Sequence, residues 1–292
     1  MRIEIRYGRG KAGGEGHATG ARLKGGLLMR HILFAMAVLF AGLTVSSGAG
    51  GRRPKPITEK VTFSSRGETE VQLEGVFSYP QGVASAPGVV LCHPHPLYNG
   101  SMKDFVIVSL EQELLRHGFA TLRFNFRGVG NSTGKFNQGV GEVRDVLGAL
   151  AYLRTRREVD ATRLYVVGYS FGARVGLAAV AEDETVQAYV GIGFPLSVEN
   201  RTWDPAELIR RATAPLLFIS GDRDQFSRPA DLQALIPLAP QRVQVQVIEG
   251  ASHFFLEPSP RAPQGQNVIY EVAQHTVQFL KSQAAGGSAR RR

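Results

Sequence analysis

From residue 59 onward the chain alternates between two hydrophobic patterns. Short runs rich in β-branched and large apolar residues, such as Gly88-Val89-Val90-Leu91-Cys92, read as strands, and a run with no polar interruption predicts a strand covered on both faces. Between them apolar residues recur at helical spacing, as at Val143, Leu147, Leu150, Ala151 and Leu153. The expected strands are 59–64, 70–79, 88–92, 120–125, 163–168, 188–192, 215–220 and 243–247, the last written with period two. Expected helices follow at 105–115, 143–153, 173–180, 205–211, 229–236 and 268–281. Strand and helix alternating in this way predict an α/β domain with a mostly parallel central sheet and helices on both faces. The first two strands, closed by the turn signal Pro80-Gln81-Gly82, form its expected antiparallel edge.

The pattern covers 57–283 without an internal repeat or boundary. Residues 1–28 are glycine-rich and basic with no periodicity, which reads as a disordered or overextended start. Met29-Arg30-His31 leads into an apolar run over 32–45 and then small residues at Ser47 and Ala49, the layout of an export signal or membrane anchor over 29–49. Residues 50–56 are a linker and 284–292 a basic tail expected to be disordered. The protein is therefore expected to be exported or membrane-anchored, with membrane contact only through 29–49; it stays cytoplasmic if 1–56 is no true leader.

Charge changes one conclusion. The formal +9 belongs to the ends: residues 1–56 hold ten Lys and Arg against two Glu, and three arginines close the chain. Residues 57–289 carry a formal −2 and no basic groove with interleaved aromatics, so nucleic acid is not an expected partner. A single cysteine, Cys92, excludes an internal disulfide framework, and at a buried strand end it reads as an inert core thiol.

The candidate chemistry centres on Gly168-Tyr169-Ser170-Phe171-Gly172, between the strand at 163–168 and a helix. A serine on so sharp a strand-to-helix turn projects its hydroxyl above the sheet edge, and the flanking glycines answer the lack of room for a Cβ. The helix behind it aims its positive end at the site, with the Phe171 amide free to donate. Two carboxylates, Asp222 and Asp224, follow a later strand, and His253 follows the next. Together with Cys92-His93-Pro94-His95-Pro96 and Phe124-Asn125-Phe126-Arg127-Gly128-Val129-Gly130-Asn131-Ser132, these motifs resemble the α/β-hydrolase superfamily, in particular a compact bacterial group related to dienelactone hydrolases and small esterases.

The resemblance implies the α/β-hydrolase fold and a Ser170, Asp224, His253 triad, with Asp224 preferred by the superfamily's G-x-x-D pattern and Asp222 as a turn-forming competitor. Phe171 and His95 are the expected oxyanion donors; prolines lack an N–H, and Leu97 is the second candidate for the His-Pro-His-Pro turn. A short cap over 193–214 suggests an open cleft, with His93, Phe194, Trp203 and Phe254 as candidate pocket residues and Phe171 beside them. The pair His93-x-His95 has no further ligands in reach of a metal-site pattern, so neither a metal nor another cofactor is expected. Gly128-x-Gly130 lacks the following helix of a dinucleotide site and reads as a flexible rim loop. The expected function is a serine hydrolase of small or short-chain carboxylic esters working through an acyl-enzyme. A peptidase or amidase on the same residues, or a non-catalytic binding protein, are the alternatives.

Overall fold

The computed structural model describes residues 54–196, 204–259, 261 and 265–289. The extension at 1–28, the leader at 29–49 and Trp203 lie outside the described residues. No described helix is long and apolar enough to cross a membrane.

Eight strands, β1 (Ile57–Ser65), β2 (Glu68–Tyr79), β3 (Ala86–Cys92), β4 (Ala120–Phe124), β5 (Val159–Tyr169), β6 (Ala188–Ile192), β7 (Leu216–Gly221) and β8 (Val243–Ile248), form one sheet. Its order is β1-β2-β4-β3-β5-β6-β7-β8. β1 and β2 make the antiparallel edge, and β3 to β8 run parallel, so all their following loops gather at one edge of the sheet. The helices are α1 (Phe105–Arg116), α2 (Val140–Arg154), α3 (Phe171–Glu182), α4 (Pro205–Arg211), α5 (Pro229–Gln233) and α6 (Ile269–Ala289).

The uninterrupted apolar strands are central because each side of the pleat has a helix layer to meet. Val90 and Cys92 of β3 belong to a core shared with α2 and α3. Val89 and Leu91 point the other way, into a core closed by α1 and α6. β5 divides likewise, with Val166 on the first side and Tyr165 and Val167 on the second. Most ends shift by one to three residues, and three differences have a particular reason or consequence. β5 starts at Val159, before a register shift opposite Pro87 and Gly88, where the polar Asp160-Ala161-Thr162 hides the strand pattern. α5 ends at Gln233 and a 3-10 turn takes over at Ile236–Leu238, because Pro237 has no N–H and disfavours a helical residue before it. The last helix runs to Ala289, so the tail expected from 284 is helical to that point.

One buried ion pair locks the loop after β4. Arg127, 5% exposed, gives its Nη2 to Asp145 Oδ1 (2.8 Å) and Ser65 Oγ (2.9 Å) and its Nη1 to Glu68 Oε2 (2.9 Å). Asp145 on α2 is fully buried and also accepts the Arg127 amide at 3.0 Å. Removing the cation leaves that buried carboxylate with a backbone amide but no opposite charge. Arg127→Ala is expected to lower unfolding free energy in urea by about 3–5 kcal/mol. Glu68→Gln, at a partly exposed position, should cost under about 1 kcal/mol. Equal effects would show that the buried Asp145 does not set the cost.

Candidate active site

The turn between β5 and α3 consists of Ser170 alone, at φ 54° and ψ −119°. A non-glycine residue there stores about 1–3 kcal/mol, and it persists only if its surroundings over-determine it. They do: the Ser170 amide donates to Ile192 O at 2.9 Å, and its carbonyl accepts from Ala173 at 3.0 Å and Arg174 at 3.3 Å. The two glycines of the motif are compelled by backbone. A Cβ on Gly168 would stand 2.3 Å from Gly172 O, and one on Gly172 would stand 2.2 Å from Cys92 O, at the end of β3. Cys92 itself is buried and its thiol is pushed up by desolvation, which keeps it protonated and inert.

The loops after β7 and β8 bring an acid and a base to the serine. Asp224 Oδ1 accepts the Phe226 and Ser227 amides at 2.8 and 2.9 Å, which leaves Oδ2 facing His253 Nδ1 at 2.8 Å. His253 Nε2 lies 3.0 Å from Ser170 Oγ. A carboxylate only accepts, so Nδ1 carries the proton and Nε2 offers a lone pair to the serine hydroxyl. Asp222 does something else: exposed, it accepts the Gly250 amide at 2.9 Å and pins the turn beyond β8. Two residues that the sequence pattern does not single out for the site hold the imidazole. Tyr169 donates its hydroxyl to His253 O at 3.0 Å, and Gly193, at φ 53°, leaves only enough room for the ring, since a Cβ there would approach Cε1 to 3.0 Å.

On the other side of Ser170 the His-Pro-His-Pro turn opens into a 3-10 turn. Neither the Phe171 nor the His95 amide donates a hydrogen bond among the described residues, and both remain available to an anion. The Leu97 amide is already taken, by His95 Nδ1 at 3.2 Å, which removes it as the second candidate.

The pocket expectations need correction. His93 is fully buried: Nε2 accepts the Phe126 amide at 3.1 Å and Nδ1 donates to Pro94 O at 2.7 Å, so the ring ties β3 to the loop after β4. Both nitrogens are used inside the fold, and among the described residues no group of His, Cys, Asp or Glu could hold a metal ion. Phe194 is also core, packed edge-on against Phe218 at 5.2 Å. Phe254 does reach the rim, 58% exposed with its ring edge-on to His253 at 5.8 Å. Phe226 joins it at 5.0 Å from the same imidazole, a contact no local pattern announces.

His93 makes a pH prediction. Burial lowers its pKa to about 4, below its ordinary 6.5, so the native state resists protonation that the unfolded chain accepts. Its contribution is intact above pH 6.5 and is lost as pH falls toward 4, with a total of about 3 kcal/mol. Urea midpoints of the wild type should fall across that window. His93→Gln, less stable throughout, should show a shallower fall; parallel curves would assign the slope to other groups.

Residues 90–281 match the sequence profile of a family described as "Alpha/beta hydrolase domain". An uncharacterised protein of Rickettsia prowazekii is 33% identical over 176 residues, 59% of this chain and 73% of that protein. Among solved structures, an alpha-beta serine hydrolase homologue from Coxiella burnetii is 29% identical with a TM-score of 0.63, covering 76% of this chain and 97% of that one. An α/β serine hydrolase without lid from Xanthomonas campestris is 27% identical with a TM-score of 0.60, covering 76% and 93%.

Proposed function

Because the chain belongs to the alpha/beta hydrolase domain family and is a hydrolase, we propose that it cleaves small or short-chain carboxylic esters through an acyl-enzyme on Ser170. The observation that carries this reading is the continuous relay of 3.0 Å from Ser170 Oγ to His253 Nε2 and 2.8 Å from His253 Nδ1 to Asp224 Oδ2. A serine hydroxyl is a weak nucleophile, and a base at that distance activates it.

In the first half-reaction Oγ attacks the carbonyl carbon as its proton passes to His253 Nε2. The carbonyl oxygen becomes an oxyanion, met by the Phe171 and His95 amides at the positive end of α3. When the tetrahedral adduct collapses, the carbon–oxygen bond to the alcohol breaks and the alcohol takes the proton from Nε2. Water then repeats the sequence on the acyl-serine, releasing the acid and restoring the hydroxyl. Asp224 stays ionised and stabilises the transient imidazolium. A small substrate fits the part of the connection over 193–214 that is described, where Leu208 and Ile209 of α4 are buried in the core.

The test is intact-mass analysis of the full chain after treatment with a fluorophosphonate probe, beside Ser170→Ala. One adduct on the wild type and none on the variant supports an activated Ser170, and 4-nitrophenyl acetate against an aminoacyl amide then separates esterase from amidase. Folded protein that takes no probe would remove the reading.

A further inference from the structure

The loop after β4, expected as a flexible rim, is instead tied down along its length. Glu74 Oε1 accepts the Asn131 amide and Asn125 Nδ2, both at 2.7 Å, and its Oε2 accepts Asn131 Nδ2 at 2.8 Å. Ser132 Oγ donates to Asn125 O at 2.7 Å and accepts the Glu74 amide at 3.0 Å. At the far end Glu142 on α2 accepts the Asn137 and Gly139 amides at 2.8 and 2.7 Å. With Arg127 fixed as well, the loop is a bracket, and a bracket needs something to hold.

It holds Phe136. That ring lies 5.1 Å from the His95 ring and 5.7 Å from Phe171, and His95 and Phe171 are 4.9 Å apart. Tyr98, 83% exposed, extends the cluster from His95 at 4.8 Å. Buried Phe126 supports Phe171 from below at 5.8 Å. His95, Phe136 and Phe171 are each only partly buried, so the cluster keeps a face toward solvent. The His95 ring accepts the Leu97 amide at Nδ1, and burial disfavours its charged form, so this wall is aromatic and uncharged.

The sheet order says which half of a substrate meets it. β5 leads into Ser170; β7 and β8, which lead to Asp224 and His253, lie to one side, and β3 and β4, which lead to His95 and Phe136, lie to the other. The base must hand its proton to the departing oxygen, so the alcohol leaves on the β7–β8 side, and the acyl group shares the β3–β4 side with the oxyanion. We propose that His95, Phe136 and Phe171, with Tyr98 at the rim, form the acyl subsite and that it takes a planar aromatic acyl group of the benzoyl class. This inference rests on the serine-ester reading above. Offset and edge-to-face ring contacts favour an aromatic acyl group over a saturated ring of the same size.

The test compares 4-nitrophenyl benzoate with 4-nitrophenyl cyclohexanecarboxylate, which share a leaving group, each rate divided by that ester's own rate with hydroxide. The wild type should favour benzoate by about fivefold in kcat/KM. Phe136→Leu should bring the ratio close to one, and Phe136→Tyr should keep it. Parity in the wild type overturns the assignment, whether or not the leucine variant folds, and so does a preference that survives in Phe136→Leu. Fluorophosphonate labelling of the same wild-type preparation separates the two levels. Protein that labels and turns over both esters without preference loses only the acyl subsite; protein that neither labels nor turns over loses the serine reading.

Discussion

Ser170→Ala is expected to lower kcat on a short ester by about 10⁶-fold while leaving the protein folded. The size follows from the role: without Oγ there is no covalent step, and only oxyanion donors and substrate positioning remain to act on water. Folding should survive because the strained turn is held by backbone. The Ser170 amide and carbonyl make three hydrogen bonds that alanine keeps, and Cβ is common to both residues. Progress curves on 4-nitrophenyl acetate with matched thermal melts check both halves. A variant that retained a tenth of the activity would move the nucleophile elsewhere.

Asp224→Asn should lower kcat by about 10⁴-fold, and Asp222→Asn should stay close to wild type. The local bonding supplies the reason. The Phe226 and Ser227 amides, at 2.8 and 2.9 Å from Oδ1, both need an acceptor, so an asparagine must turn its oxygen toward them. Its NH2 then faces His253 Nδ1, which becomes the acceptor, and the ring proton moves to Nε2. An Nε2–H cannot take the proton of Ser170. Asp222 touches only the Gly250 amide, at the surface, which an asparagine oxygen also satisfies. The wild-type tautomer depends on one carboxylate oxygen, and activity should fall as that tautomer is lost. Comparable losses in the two variants would undo the assignment of the acid.

The elbow was legible because its requirements are local. Five consecutive residues, a strand before and a helix after encode the turn, and the neighbouring backbone that forbids a Cβ on Gly168 and Gly172 is itself part of that unit and of β3. From chemistry and spacing alone the carboxylates were a pair after β7, since Asp222 and Asp224 have nearly the same place in the chain, and only the resemblance to the superfamily preferred Asp224. His93 and Phe194 looked like pocket residues because each follows a strand at the loop edge, yet both side chains turn inward, against Phe126 and Phe218. Tyr169 at the end of β5 and Gly193 just past β6 act on His253 across gaps of 84 and 60 residues that no spacing rule spans.

The sequence by itself determined the strand and helix alternation, the doubly covered β3, and the nucleophile turn, because hydrophobic period and glycine placement act over a few residues. Only the tertiary structure decided which aspartate meets His253, which aromatic rings surround Ser170 and which are core. Those choices depend on the strand order, which sets β3 and β4 on one side of the serine and β7 and β8 on the other. Contacts between loops brought together by that order have no local signature, since each loop needs only to suit its neighbours in space.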